Sequence, residues 1–174
     1  MQNMLLTPHF ALLEFTESST AKKRGIANEP QPEAVLNLMR LCLYTLEPLR
    51  EALGLPVIIT SGYRCQRLNE IISHSSERSQ HMQGQAADFY IGWSQSRTRD
   101  SKAQAPSHRE RLIKAFRLIL TNEQIDYDQL ILYPNFIHVS YVSKERNRHA
   151  ILIGRNDGKL GYGRISLNNA LTIS

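Results

Sequence analysis

Between residues 32 and 54, apolar positions recur at steps of three and four. Val35, Leu36, Met39, Leu43, Leu46, Leu49 and Leu53 trace one stripe. An α-helix turns once in 3.6 residues, so that spacing collects them on one side and predicts a long helix packed on a core. Pro32 suits its first turn, and Gly54 supplies its stop. Leu112, Ile113, Phe116, Leu118, Ile119 and Leu120 predict a second helix over about 107–122, with Ser107 and Glu110 spaced as a capping box. Shorter helices are expected at 11–15, started by Thr7-Pro8 and followed by a polar segment to Lys23, and at 67–72.

Elsewhere the pattern changes to short β-branched and aromatic runs, which predict strands at 56–60, 88–91, 127–133 and 136–141, with a further strand or a helix end at 150–153. Pro134-Asn135 makes a tight turn between the third and fourth, so those two form a hairpin. Strand alternation puts Phe136, His138 and Ser140 on one face and Ile137, Val139 and Tyr141 on the other. Mixed short strands and helices predict an α+β fold, a small antiparallel sheet flanked by helices. Residues 92–108 are polar and lack periodicity; they read as a mobile surface loop, a lid or groove rim with Trp93 at its root. The Gly- and Asn-rich stretch after 153 reads as a C-terminal extension, 154–174, of unassigned role beyond a single domain, 1–153.

At 174 residues, one domain with a substantial core is expected. The net charge of +5 is spread along the chain, which fits weak attraction to anionic polymers. Basic and aromatic residues are not interleaved on any one element, so no specific nucleic-acid partner is expected. No apolar run approaches the ~20 residues a membrane helix needs, and no signal-like opening is seen. The expectation is therefore a monomer without membrane insertion, cytoplasmic as encoded. Cys42 and Cys65 are expected as free thiols, Cys42 in the core.

The chemistry concentrates in Ser79-Gln80-His81-Met82-Gln83-Gly84-Gln85-Ala86-Ala87-Asp88. Gly84 permits a turn without a Cβ penalty, so His81 and Asp88 can aim at one point. An imidazole nitrogen with a carboxylate oxygen suits Zn²⁺, and a catalytic zinc site commonly takes three protein ligands. His138, on a strand among apolar neighbours, is the better third candidate; His149 lies in a charged, solvated segment. His74 reads as a solvated loop residue, and His9 as a surface one. Arg64 follows a strand end and Gly62, a position from which a guanidinium can fork onto a carboxylate or an oxyanion. Ser61 is expected to shape that turn. Ser79 is a candidate to hydrogen-bond substrate or orient His81, and Gln80 is a candidate substrate contact.

Ser61-Gly62-Tyr63-Arg64, then Ser79-x-His81-x-x-Gly84-x-Ala86-x-Asp88, then His138-Val139-Ser140 resemble the zinc peptidases of the M15 family, in that order along residues 6–153. That family includes D-Ala-D-Ala carboxypeptidases and phage L-alanyl-D-glutamate endopeptidases, and shares its fold with the Hedgehog signalling domain. The resemblance implies His81, Asp88 and His138 as zinc ligands, Arg64 as the substrate-facing cation, and a peptidoglycan stem peptide as substrate. By analogy with phage relatives, a pore or secretion route would carry the protein to the wall. Members carry a glutamate three or six residues before the last ligand, or a histidine two before it. This chain has Asn135, Leu132 and Phe136 there. Tyr133 takes the glutamate's place if the hairpin is one residue shorter, and could hydrogen-bond an oxyanion. Asp126 and Asp128 are expected to lie too far along their strand; Asp88 or the substrate itself could accept the proton. A non-catalytic, zinc-containing wall-binding module of the same fold is the alternative.

Overall fold

The computed structural model describes residues 4–72, 75–93, 106–154 and 162–173. Strands β1 (Leu5–Thr7) and β2 (Phe10–Ala11) form a two-stranded antiparallel sheet. Helices α1 (Leu12–Thr16), α2 (Ser19–Arg24) and α3 (Pro32–Leu41) follow. A π-helical turn (Cys42–Leu46) then continues into α4 (Glu47–Leu53). Next come β3 (Val57–Ser61), α5 (Gln66–Ile71), a 3₁₀ turn (Gln80–Gln83), β4 (Ala86–Ile91) and α6 (His108–Thr121). The chain finishes with β5 (Gln129–Leu132), β6 (Ile137–Ser140), β7 (Ala150–Gly154), β8 (Tyr162–Arg164) and α7 (Leu167–Leu171). The main sheet has six strands in the order β3-β4-β6-β5-β7-β8; only β5 and β7 run parallel. The architecture is α+β, as the mixed pattern predicted.

The two faces of this sheet do different work. Phe89, Ile91, Leu130, Leu132, Ile137 and Val139 point into one apolar core with Leu38, Leu41, Leu46, Leu49, Leu112 and Phe116 from the helices. Each such side chain, taken fully out of water, contributes about 1.5–3 kcal/mol. On the opposite face the register sets Asp88 against His138, His138 against Ile131, and Ile131 against Leu152. Alternation therefore anchors the strands on one side and frees a row of positions for chemistry on the other. After the last β7 residue, β8 pairs antiparallel with β7, and Ala170 of α7 reaches the core.

The long helix is present, but its buried stripe differs from the expected one. Ala34, Leu38, Leu41, Cys42, Leu46, Leu49 and Leu53 are buried, whereas Leu36, Met39 and Leu43 are exposed. Leucines occupy more than one side of this helix, and small or polar residues on the inner side hide the true face. Asn37 is buried because its Nδ2 donates to the Gln83 carbonyl at 2.9 Å; Thr45 is buried because its hydroxyl donates to the Asp126 carbonyl at 2.5 Å. The first helix, expected at 11–15, begins at Leu12, but Thr7 does not start it: Thr7 ends β1 and leads into the turn at Pro8-His9. The Ala11 N–H donates to the Glu14 carboxylate at 2.8 Å at that start. The segment expected to be merely polar, 16–23, supplies most of α2, capped by the Ser18 hydroxyl. The capping box of Ser107 and Glu110 is formed as expected, and both cysteines are free thiols.

Candidate active site

Four separate segments deliver the site. His81 rides on the 3₁₀ turn, which ends at Gly84 with φ of +67°. A Cβ on Gly84 would lie 2.2 Å from the carbonyl oxygen of Ala34, so only glycine lets the turn sit this close to α3. The Gly84 N–H donates back to the His81 carbonyl at 3.2 Å. Asp88 is the third residue of β4 and His138 the second of β6, directly paired in register. Arg64 comes from the loop after β3. That loop is tied down by Asn28, whose Nδ2 donates to the Tyr63 carbonyl and whose Oδ1 accepts from the Cys65 N–H.

The donor geometry is compact. His81 Nδ1 lies 2.7 Å from the Gly62 carbonyl. A carbonyl can only accept, so Nδ1 carries the proton and Nε2 is left with its lone pair, 3.5 Å from Asp88 Oδ1. His138 Nδ1 lies 2.8 Å from the same oxygen. One donor atom from each of His81, Asp88 and His138 falls within 4.8 Å of the others. Ligands held ~2.0–2.2 Å from a tetrahedral ion stand about 3.4 Å apart, so a divalent ion fits this set with little movement. The nitrogen and oxygen donors suit such an ion chemically.

Electrostatics agree with that reading. Burial pushes the His81 pKa down, against the opposing pull of Asp88, and so favours the neutral ring a ligand must be. Burial alone would raise the Asp88 pKa. Its electrostatic interaction with the His81 ring and its hydrogen bond with His138 outweigh burial and hold the carboxyl well below its usual range. Asp88 Oδ2 also accepts from Arg64 Nη2 at 3.1 Å. Ser61 accepts from Arg64 Nε and Nη2 at 3.1 and 2.8 Å, so it holds the guanidinium flat against the triad.

These groups line a cleft of about 730 Å³ that also takes in Ser79, Gln80, Tyr133, Phe136 and Arg148. A protein-family comparison matches residues 8–140 to Peptidase M15. The chain belongs to that family. No curated protein matches it. The peptidase assignment and the cluster of His81, Asp88 and His138 point to the same cleft, where a metal ion could be held. A wider groove of about 1330 Å³ opens beside Tyr44 and Tyr141. Among the described residues it holds no second cluster of metal-binding groups.

The remaining candidates fall in distinct places. Tyr133 lines the cleft with its ring stacked on Phe136, centroids 4.4 Å apart, and lies so close to Gly154 that a Cβ there would meet the ring at 2.1 Å. Ser79 is the residue before the 3₁₀ turn, and Gln80 is turned toward Asp128, donating from Nε2 to Oδ2 at 2.8 Å. Asp128 lines the cleft, although its sequence position suggested a site too far along the strand. Its carboxylate closes on Arg148, a partnership across twenty residues that no local spacing signals. Asp126 turns away to His149, 2.9 Å from Nε2, and His9 pairs with Glu47. His74 and residues 94–105 of the loop expected at 92–108 lie outside the described residues. No described helix is long and apolar enough to cross a membrane.

Proposed function

We propose that the protein is a zinc-dependent peptidase hydrolysing stem-peptide amide bonds of peptidoglycan, as a D,D-carboxypeptidase or endopeptidase. The observation that carries this reading is the convergence of His81 Nε2, Asp88 Oδ1 and His138 Nδ1, with Arg64 braced on the other carboxylate oxygen. Zinc, when bound, supplies a Lewis acid that polarises the scissile carbonyl and lowers the pKa of water. Gly62 fixes the His81 tautomer so that Nε2 faces the cleft. Arg64 takes a substrate carboxylate or the oxyanion that develops on the carbonyl oxygen, and Ser61 keeps its guanidinium aimed there. Tyr133, which lines the cleft with its ring stacked on Phe136, would hydrogen-bond that oxyanion through its phenol.

Proton transfer falls to fewer groups. The carboxylates among the described cleft residues are Asp88 and Asp128. Burial would raise the Asp128 pKa, but hydrogen bonds from Arg148 and Gln80 bring it down to about 2, too acidic for an effective base near neutral pH. Asp88 is held well below its usual range as well and serves as a ligand, which leaves a group of the substrate as acceptor. The same composition of the cleft favours a second reading, a zinc-containing wall-binding module without turnover. Incubation of zinc-loaded protein with muropeptides separates the two. Release of D-Ala or a stem fragment, lost in Asp88→Ala, is expected for the peptidase. Binding without release, under conditions where a known relative cleaves, overturns it.

A further inference from the structure

Asp128 is a buried carboxylate with 1% of its surface exposed, and the mechanism above leaves it unused. Oδ1 accepts from the Arg148 N–H at 2.9 Å and from Arg148 Nε at 2.8 Å. Oδ2 accepts from Arg148 Nη2 at 2.5 Å, Gln80 Nε2 at 2.8 Å and the Ser140 hydroxyl at 3.3 Å. Gln80 Oε1 in turn accepts from Arg148 Nη2 at 3.3 Å. A bidentate carboxylate fixes the plane of a guanidinium as well as its position. Yet the Arg148 side chain stays 55% exposed and lines the same cleft as the triad. A buried acid that pins a half-exposed cation at a cleft wall has the form of a binding device, since an ion pair serving stability alone gains little from an exposed partner.

Its location gives it a role distinct from that of Arg64. Strand order runs β3-β4-β6-β5, with Arg64 following β3, the ligands Asp88 and His138 on β4 and β6, and Asp128 immediately before β5. The two guanidiniums are therefore anchored on opposite sides of the triad. Ser140, which touches Asp128, stands two residues beyond His138, about 7 Å along the strand, or roughly two residues of an extended peptide. The cleft as a whole is cationic: Arg64, Arg78, Arg146 and Arg148 line it against Asp88 and Asp128. An anionic ligand matches that surplus.

We propose that Arg148, held by Asp128 and Gln80, is a specificity-determining residue that binds an internal carboxylate of the substrate peptide, one or two residues from the scissile amide. The preferred substrate is then an acidic peptide whose internal carboxylate is free rather than amidated. This rests on the peptidase reading for its catalytic consequence, but not for binding. The test uses a disaccharide pentapeptide in two forms, internal carboxylate free or amidated, each with its C-terminal carboxylate free. Cleavage by the zinc-loaded protein is compared with calorimetric binding to the metal-free protein. The free acid is expected to be favoured about 10- to 100-fold in kcat/KM and in affinity, the range of a hydrogen bond to a charged group. Arg148→Gln should collapse that ratio to near one, chiefly through KM, and Arg148→Lys should restore part of it. Because Arg148→Gln strands a buried acid, the double variant Asp128→Asn/Arg148→Gln is run beside it, with the same collapse expected. Equal handling of the two compounds by the unaltered protein, or binding of neither, overturns the proposal. Preferential binding of the free acid without cleavage overturns only the peptidase reading.

Discussion

Replacing Gly84 with alanine tests how the turn that carries His81 is built. Two penalties are readable from the structure. Gly84 has φ of +67°, a left-handed conformation that costs an L-residue about 1–2 kcal/mol. The new Cβ would also sit 2.9 Å from the Ala34 carbonyl carbon and 2.2 Å from its oxygen, the latter more than 1 Å inside the 3.4 Å at which ordinary contact begins. The turn and α3 would have to part, and the Asn37 bond to the Gln83 carbonyl at 2.9 Å resists that. Overpacking of this kind costs about 1–3 kcal/mol, which brings the total to about 2–5 kcal/mol. Gly25 is an internal control, with φ of +60° and no atom within 4 Å of a built Cβ, so Gly25→Ala should cost only the first penalty. Urea denaturation of both variants gives the difference as a shift in midpoint at constant slope. Displacement of His81 should also weaken zinc binding in Gly84→Ala by about 10- to 100-fold. Equal destabilisation by the two substitutions would refute the close approach of turn and helix.

Three further outcomes are expected. Asp128 has its pKa lowered from 3.8 to about 2, so its contribution to stability is present above pH 3.8 and is lost as the pH falls towards 2. The stability gap between the protein and Asp128→Asn should therefore be flat near neutrality and narrow on acidification by about 1–2 kcal/mol, after discounting for the exposed Arg148 partner; a gap that widens contradicts it. Ser107→Ala removes the hydroxyl that accepts from the Glu110 N–H at 3.2 Å and should cost about 1 kcal/mol in chemical denaturation, with no change in zinc affinity. Zinc at 100 times its Kd should stabilise the chelator-treated protein by about 2.7 kcal/mol, raising Tm by roughly 5–10 °C, and Asp88→Asn should abolish the rise.

The site was legible where chemistry and local geometry coincide. His81, Gly84 and Asp88 lie within eight residues of one another, and the alternation of β6 places His138 on the face opposite Ile137 and Val139. The box at Ser107 and Glu110 is likewise a matter of short spacing. Reading failed where tertiary contacts choose between local options. The inner face of α3 and of the π-helical turn after it carries Asn37 and Thr45, polar residues whose partners come from Gln83 and Asp126, so pattern alone selected Leu36, Met39 and Leu43 instead. Gln80, Asp128 and Arg148 meet through side-chain hydrogen bonds across 48 and 20 residues, a juxtaposition that no window along the chain contains. The parallel pairing of β7 with β5 belongs to the same class.

X-ray absorption at the zinc edge of the loaded protein bears most directly on the central claim. Four nitrogen or oxygen neighbours at about 2.0–2.2 Å are predicted, with the outer-shell signature of two imidazoles and no sulfur, and with one imidazole lost in His138→Ala. A zinc environment containing Cys65 sulfur, or one unchanged by His138→Ala, would contradict it.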